Sequence, residues 1–229
     1  VSCVMNGRGA QSNMSNAQTG FVPAELQPIA EAPAAPARKR PRPGERRVQI
    51  LQTLAGMLEQ PRGEKITTAG LAAKLDVSEA ALYRHFASKA QMFEGLIEFI
   101  EQTVFGLINQ ITLREEHGLR QAHAIAHMLL SFADKNPGMT RVLVGDALVG
   151  EDERLPERMA QCMDRIEASL KQSLRVAVTQ GAWPADADIA SRANLIVCMV
   201  LGRWHRYAKS GFRKSPLEGA EAQLRVLLA

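Results

Sequence analysis

The stretch SEAALYRHFASK, residues 78–89, sets two serines, a tyrosine, an arginine, a histidine and a lysine among alanines. Hydroxyl, imidazole and ammonium donors at this density suit phosphate oxygens better than base edges. Ala80 and Ala81 stand where a packed helix would carry leucines, so the exposed face is small enough to lie in a DNA major groove. Just upstream, Thr67 and Thr68 offer hydroxyls at a second helix start, and backbone N–H groups at such starts also favour phosphate. These donors imply binding rather than catalysis. The chain has no G-x-S-x-G, P-loop or G-x-G-x-x-G. His123 and His127 are four apart, as metal-ligating histidines often are. Neither an intervening glutamate nor a third ligand accompanies them, so no metal and no cofactor is expected.

The elements that must position these donors are helical. Ile50, Leu51, Leu54 and Leu58 form the apolar stripe of a first helix, which Pro61 and Gly63 should end. Thr67 or Thr68 caps a short second helix carrying Leu71, Ala72 and Leu75. After a turn at Asp76-Val77, Ser78 caps a third helix, with Glu79 placed for the helix dipole. Leu71, Ala72, Leu75, Val77, Leu82 and Phe86 should face inward. A long supporting helix followed by two short ones across a tight turn is a helix-turn-helix.

Lys89 opens a helix of about 25 residues, roughly 37 Å long, and further helices are expected at about 119–134, 139–149, 155–179, 187–209 and 217–228. No period-2 segment of any length interrupts them, so the fold class is all-α. Three parts follow: a basic-ended tail (1–43, expected to be disordered), a helix-turn-helix domain (44–88) and a helical dimerisation and partner-binding domain (89–229). The helix at 187–209 contains ANLIVCMVLG, apolar on every side, so one face should bury in the subunit and another elsewhere. With helix 155–179 it would supply half of a four-helix dimer interface through Met163, Ile166, Leu170, Leu174, Ile196, Val197, Val200 and Trp204. The competing reading is a central helix in a monomeric core.

Charge supports the division. Residues 38–89 carry eleven Lys/Arg against five Asp/Glu, whereas residues 90–229 carry sixteen against seventeen. A basic front on a near-neutral body favours a polyanion at the front. Three widely spaced cysteines, Cys3, Cys162 and Cys198, fit a reducing compartment better than a disulfide framework. The longest apolar run, Leu195–Leu201, is far too short to span a bilayer, and Phe21–Ala37 lacks the apolar core of a signal peptide. The Val1 start suggests a GTG codon or a start called upstream of the natural one. The carboxylates of GEDERLPER, 150–158, read as a solvated charge run.

The stretch ITTAGLAAKLDVSEAALYRHFASK resembles the signature of the TetR family, with Asp76 where that family usually has glycine. An aspartate tolerates the left-handed conformation of such a turn better than most residues. Membership alone implies a ligand-controlled repressor. FEGLIEFIEQTVFGLINQI, NPGMTRVLVGDALVGEDERLPERM and RIEASLKQSLR are closely similar to the family's nucleoid occlusion branch, over about residues 46–212. That likeness implies a homodimer, one or more per palindromic double-stranded chromosomal site, that antagonises FtsZ polymerisation when DNA-bound. It also implies a cytoplasmic, nucleoid-associated protein. DNA contacts would fall on Arg46, Arg47, Thr67, Thr68, Ser78, Ala80, Ala81, Tyr83, His85 and Lys89. FtsZ contacts would fall on Phe99, Leu107, Met128, Lys135 and Asn136, with Leu107 and Lys135 standing where arginines are expected. A ligand pocket wants convergent polar groups among apolar walls. The helices at 119–134 and 155–179 offer mainly Met, Leu and Ala, which favours the FtsZ reading over the repressor.

Overall fold

Gly44 and Asp76 bracket the first local structure, both with positive φ, at 89° and 54°. A computed structural model describes residues 44–60 and 66–229. The tail, 1–43, and the expected break at Pro61 and Gly63 lie outside the described residues. Among the described residues the protein is all helical, with helix α1 at Glu45–Leu58, α2 at Thr68–Leu75, α3 at Glu79–Tyr83 and α4 at Lys89–Arg114. Then follow α5 at Gly118–Lys135, α6 at Pro137–Leu143, α7 at Arg154–Thr179, α8 at Ile189–Lys209 and α9 at Ala220–Leu228.

Local capping explains the first boundaries. Thr67 Oγ1 accepts from the Gly70 N–H at 3.1 Å, Ser78 Oγ from Ala81 at 3.3 Å and Ser88 Oγ from Gln91 at 3.1 Å. Asp76 adopts the left-handed conformation expected of it, so that Val77 N–H reaches back to the Ala72 carbonyl at 3.1 Å. Leu71, Ala72, Leu82 and Phe86 are buried against α1, and Val77 packs at the edge of that core.

Two boundaries differ from the sequence expectation. The helix expected over 139–149 stops at Leu143, because Gly145 turns left-handed at φ 81°, and only a 3-10 turn at Asp146–Leu148 follows. The last helix starts at Ala220 rather than 217, after Gly219 at φ 70°.

Helix α5 is the centre of the C-terminal body, packed chiefly on α7 and α8 and flanked by α4 and α9. Gly118 allows the closest of these approaches: a Cβ there would stand 2.2 Å from the Ala177 backbone nitrogen. Trp204 of α8 is fully buried, and its Nε1–H donates to the Leu129 carbonyl of α5 at 3.2 Å. Helix α6 returns beneath α1, where Gly138 meets the Ala55 carbonyl and Arg141 Nη1 donates to the Leu58 and Gln60 carbonyls at 3.3 Å. The helix-turn-helix is thereby seated on the body.

Within a single chain this packing already buries most of the residues expected at the dimer face. Ile166, Leu170, Leu174, Ile196, Val200 and Trp204 are each no more than 2% exposed within a single chain, and Val197 is 6% exposed. They turn inward because α5 supplies the apolar surface that covers them. Met163 is half-buried. The outward side of α8 instead presents Leu195, Cys198 and Gly202, with Ala168 exposed on α7.

Candidate nucleic-acid and partner interfaces

The helix-turn-helix surface is built by α2, the Asp76 turn and α3. Helix α3 has only five residues, and its start is tied to α2 by the Thr68 hydroxyl, which donates to Glu79 Oε2 at 2.6 Å. Ala80 is exposed and Ala81 half-buried, so the outward face of α3 is smooth. Tyr83, 46% exposed, and exposed His85 follow in the chain, and Thr67 and Ser78 cap the starts of α2 and α3. Thr67, Thr68, Ser78, Ala80, Ala81, Tyr83 and His85 thus fall in or directly beside α2 and α3, which the Thr68–Glu79 bond joins.

The basic residues are more constrained than their spacing implied. Arg47 Nη1 donates to the His85 carbonyl at 3.2 Å, and its guanidinium lies 4.2 Å from the Phe86 ring centroid. It thus ties α1 to the end of α3. Arg46 bonds Gln49 at 2.8 Å on its own helix. Lys89 pairs with Glu151 from the segment before α7, and its ammonium sits 5.6 Å from the Phe93 ring. Neither contact is visible in sequence spacing, because His85 and Glu151 lie 38 and 62 residues away.

A second concavity runs between the C-terminal half of α4 and α5. It encloses about 660 Å³ and is lined by Leu107, Gln110, Ile111, His123, His127 and Met128 among others. Two of the five proposed partner residues, Leu107 on α4 and Met128 on α5, line it. Phe99 is half-buried against the core nearer the start of α4, Lys135 is exposed at the end of α5, and the Asn136 amide donates to the Phe132 carbonyl at 2.7 Å. Those three are not part of the groove lining. Asn136 forms the joint between α5 and α6.

The His123 and His127 rings stack at 6.3 Å in this groove, and His123 Nε2 lies 3.1 Å from a Glu221 carboxylate oxygen of α9. The opposite side of α4 is closed by Arg158 of α7, which bonds Glu101 at 2.8 Å and whose pKa that contact raises. Deep between the helices, burial pushes the Cys162 thiol up to about 11. No helix among the described residues is long and apolar enough to cross a membrane.

Residues 64–96, which hold the helix-turn-helix, match the family described as bacterial regulatory proteins, tetR family. Residues 116–229 match the tetracyclin repressor-like C-terminal domain. The fold is shared with the fatty acid degradation regulator FadR from Bacillus halodurans, at a TM-score of 0.70 and 12% identity over 81% of this chain and 96% of that one. It is also shared with the TetR family regulator PfmR from Thermus thermophilus, at 0.64 and 20% identity over 79% and 97%. Sequence relatives are much nearer. The nucleoid occlusion factor SlmA of Alteromonas mediterranea is 53% identical over 76% of this chain and 89% of its own length. That of Idiomarina loihiensis is 50% identical over 80% and 93%. With both halves matched and half the residues shared along nearly the whole relative, the chain belongs to the TetR family and, within it, to the SlmA nucleoid occlusion factors.

Proposed function

We propose that this protein binds palindromic chromosomal DNA as a homodimer and, when DNA-bound, antagonises FtsZ polymerisation, so that septa do not form over the nucleoid. It acts by binding in the cytoplasm and not as an enzyme. The observation that carries the DNA half is the α3 surface, where exposed Ala80 and half-buried Ala81 leave room for a groove floor and Tyr83 and His85 stand beside them. Thr67 and Ser78 add two capped helix starts to α2 and α3. Arg46 and Arg47 assist from α1, Arg47 chiefly by fixing α3.

The partner half rests on the groove between α4 and α5, which Leu107 and Met128 line, with Phe99 half-buried on α4 and Lys135 exposed at the end of α5 as further contacts outside that lining. Asn136 contributes by setting the α5–α6 joint. The region where α4, α5 and α7 meet is packed with Ile100, Val104, Ile125, Leu129, Cys162 and Ile166, each no more than 1% exposed. That packing favours a protein partner on the outside over a small ligand within. Dimerisation uses the outward side of α7 and α8, around Ala168, Leu195, Cys198 and Gly202.

The experiment is FtsZ sedimentation in the presence of GTP, with a palindromic duplex that the protein itself selects from random sequence. Protein plus selected duplex should reduce pelleted FtsZ, and protein plus scrambled duplex should do so much less. Pelleting that ignores both protein and DNA would remove the FtsZ reading, and failure to select any duplex would remove the DNA reading.

A further inference from the structure

The acidic segment between α6 and α7 reads from sequence as solvated charge, but each of three of its carboxylates holds a cation. Asp146 accepts from Lys209 of α8 at 3.1 Å, Asp152 from the Arg154 guanidinium at 2.9 Å, and Glu151 from Lys89. Only the last of these cations belongs to the proposed DNA surface. Lys89 is the first residue of α4, directly after the helix-turn-helix. Its side chain is 24% exposed and that of Glu151 only 13%. The carboxylate therefore covers the ammonium that a phosphate would need.

Glu151 has two physically distinct roles open to it. It would orient Lys89 toward DNA if carboxylate and phosphate were able to share the ammonium. Sharing brings two anions within a few ångströms of each other, and their repulsion grows as water is excluded from the interface. Displacement is favoured over sharing because the segment has pivots. Gly145 and Gly150 lie within it, directly before Asp146 and Glu151, at φ 81° and 76°, in a region of backbone space that glycine enters without strain.

We propose that Glu151 is an intramolecular phosphate mimic: it latches Lys89 in the free protein and is displaced when a DNA phosphate takes the same ammonium. This rests on the DNA-binding reading above. Displacement also removes the segment's direct ion pair with α4 while Asp146 still ties it to α8, so occupation of the DNA surface is transmitted toward the helix proposed for dimer contact.

The test is duplex binding by the full chain and by Glu151→Gln, measured on the selected palindrome and on random sequence. A partly exposed ion pair is worth about 1 kcal/mol, so Glu151→Gln should tighten both duplexes about 5-fold. Glu151→Asp, one methylene short of Lys89, should move the same way. Asp152→Asn removes a neighbouring charge that engages Arg154 and not Lys89, and should leave affinity unchanged. In a Lys89→Gln background the gain from Glu151→Gln should vanish, and the salt dependence should flatten by about one phosphate contact. Unchanged or weaker binding by Glu151→Gln overturns the latch, as does an equal gain from Asp152→Asn. A parent chain that binds no duplex overturns the DNA reading itself, and the latch with it.

Discussion

Gly138→Ala should be among the most damaging single-methyl additions to this protein. A Cβ built at Gly138 in α6 lies 1.9 Å from the Ala55 carbonyl oxygen and 2.8 Å from its carbon. An ordinary carbon–oxygen contact is about 3.3–3.6 Å, so α1 and α6 must separate by roughly 1.5 Å. The obstacle is helix backbone, which no rotamer change can relieve. Parting the helices opens a gap beside Leu51, Leu54 and Leu58, which are at most 5% exposed, and a gap of 0.5–1 Å forfeits a quarter to a half of each contact. Overpacking of this kind costs about 1–3 kcal/mol, and the stiff partner places this site at the upper end. The loss of chain freedom in the unfolded state returns about 0.4–1 kcal/mol, leaving a net destabilisation of about 2 kcal/mol. Urea denaturation at one fixed protein concentration measures it, since the proposed dimer would make the midpoint concentration-dependent. Gly56→Ala in α1 is the matched control: its Cβ meets nothing within 4 Å, so it should be neutral or stabilising. If Gly138→Ala unfolds at the parent's urea midpoint, the backbone contact does not fix the α1–α6 seam and the reasoning fails.

Leu195→Glu, on the outward side of α8 where the side chain is 52% exposed, should give a helical monomer in light scattering, whereas Val200→Glu, at 2% exposed, should unfold the subunit. A clean Leu195→Glu dimer would place the interface elsewhere. Cys162 should resist alkylation at pH 8 in the folded chain and react once urea unfolds it. Its folded pKa of about 11 lies above the ordinary thiol value, so the unfolded chain loses this proton first. The stabilisation is complete below about pH 8.5. It is lost as pH rises toward 11, and denaturation midpoints of the parent and Cys162→Ala should converge over that window.

The helix-turn-helix was legible because its signals are local. Thr67, Ser78 and Ser88 cap helices within three residues of themselves, and Asp76 needs only its own backbone to turn. Helix α4 was legible from its apolar stripe and runs 26 residues. The direction of the α7–α8 apolar faces was not legible. Leu195, Ile196, Val197, Cys198, Met199 and Val200 are all apolar, so periodicity does not say which stripe α5 will cover. Trp204 settles it only through a hydrogen bond to Leu129, 75 residues away. The intramolecular partners of the cations at the proposed DNA surface were illegible for the same reason. Arg47 and Lys89 look free on a helical wheel, and their partners arrive from distant segments. Phe99, Lys135 and Asn136 were grouped with Leu107 and Met128 by resemblance, and the groove gathers only the latter two.

The way α5 begins has a consequence for how the chain is made. His117 gives no side-chain cap to this helix. Instead Gln180, at the end of α7, accepts from the Gly118 N–H at 2.9 Å and donates to the Glu116 carbonyl at 2.7 Å. The central helix thus takes its start signal from a residue synthesised 62 positions later. On the ribosome, α1 to α4 emerge with their own caps or stripes, but the N-terminus of α5 stays unsecured until residue 180 has left the exit tunnel. At about 5–20 residues per second, that is an interval of several seconds. During it the apolar faces of α4 and α5 stand without α7 to cover them, so a nascent chain exposes them to its neighbours over this stretch of synthesis.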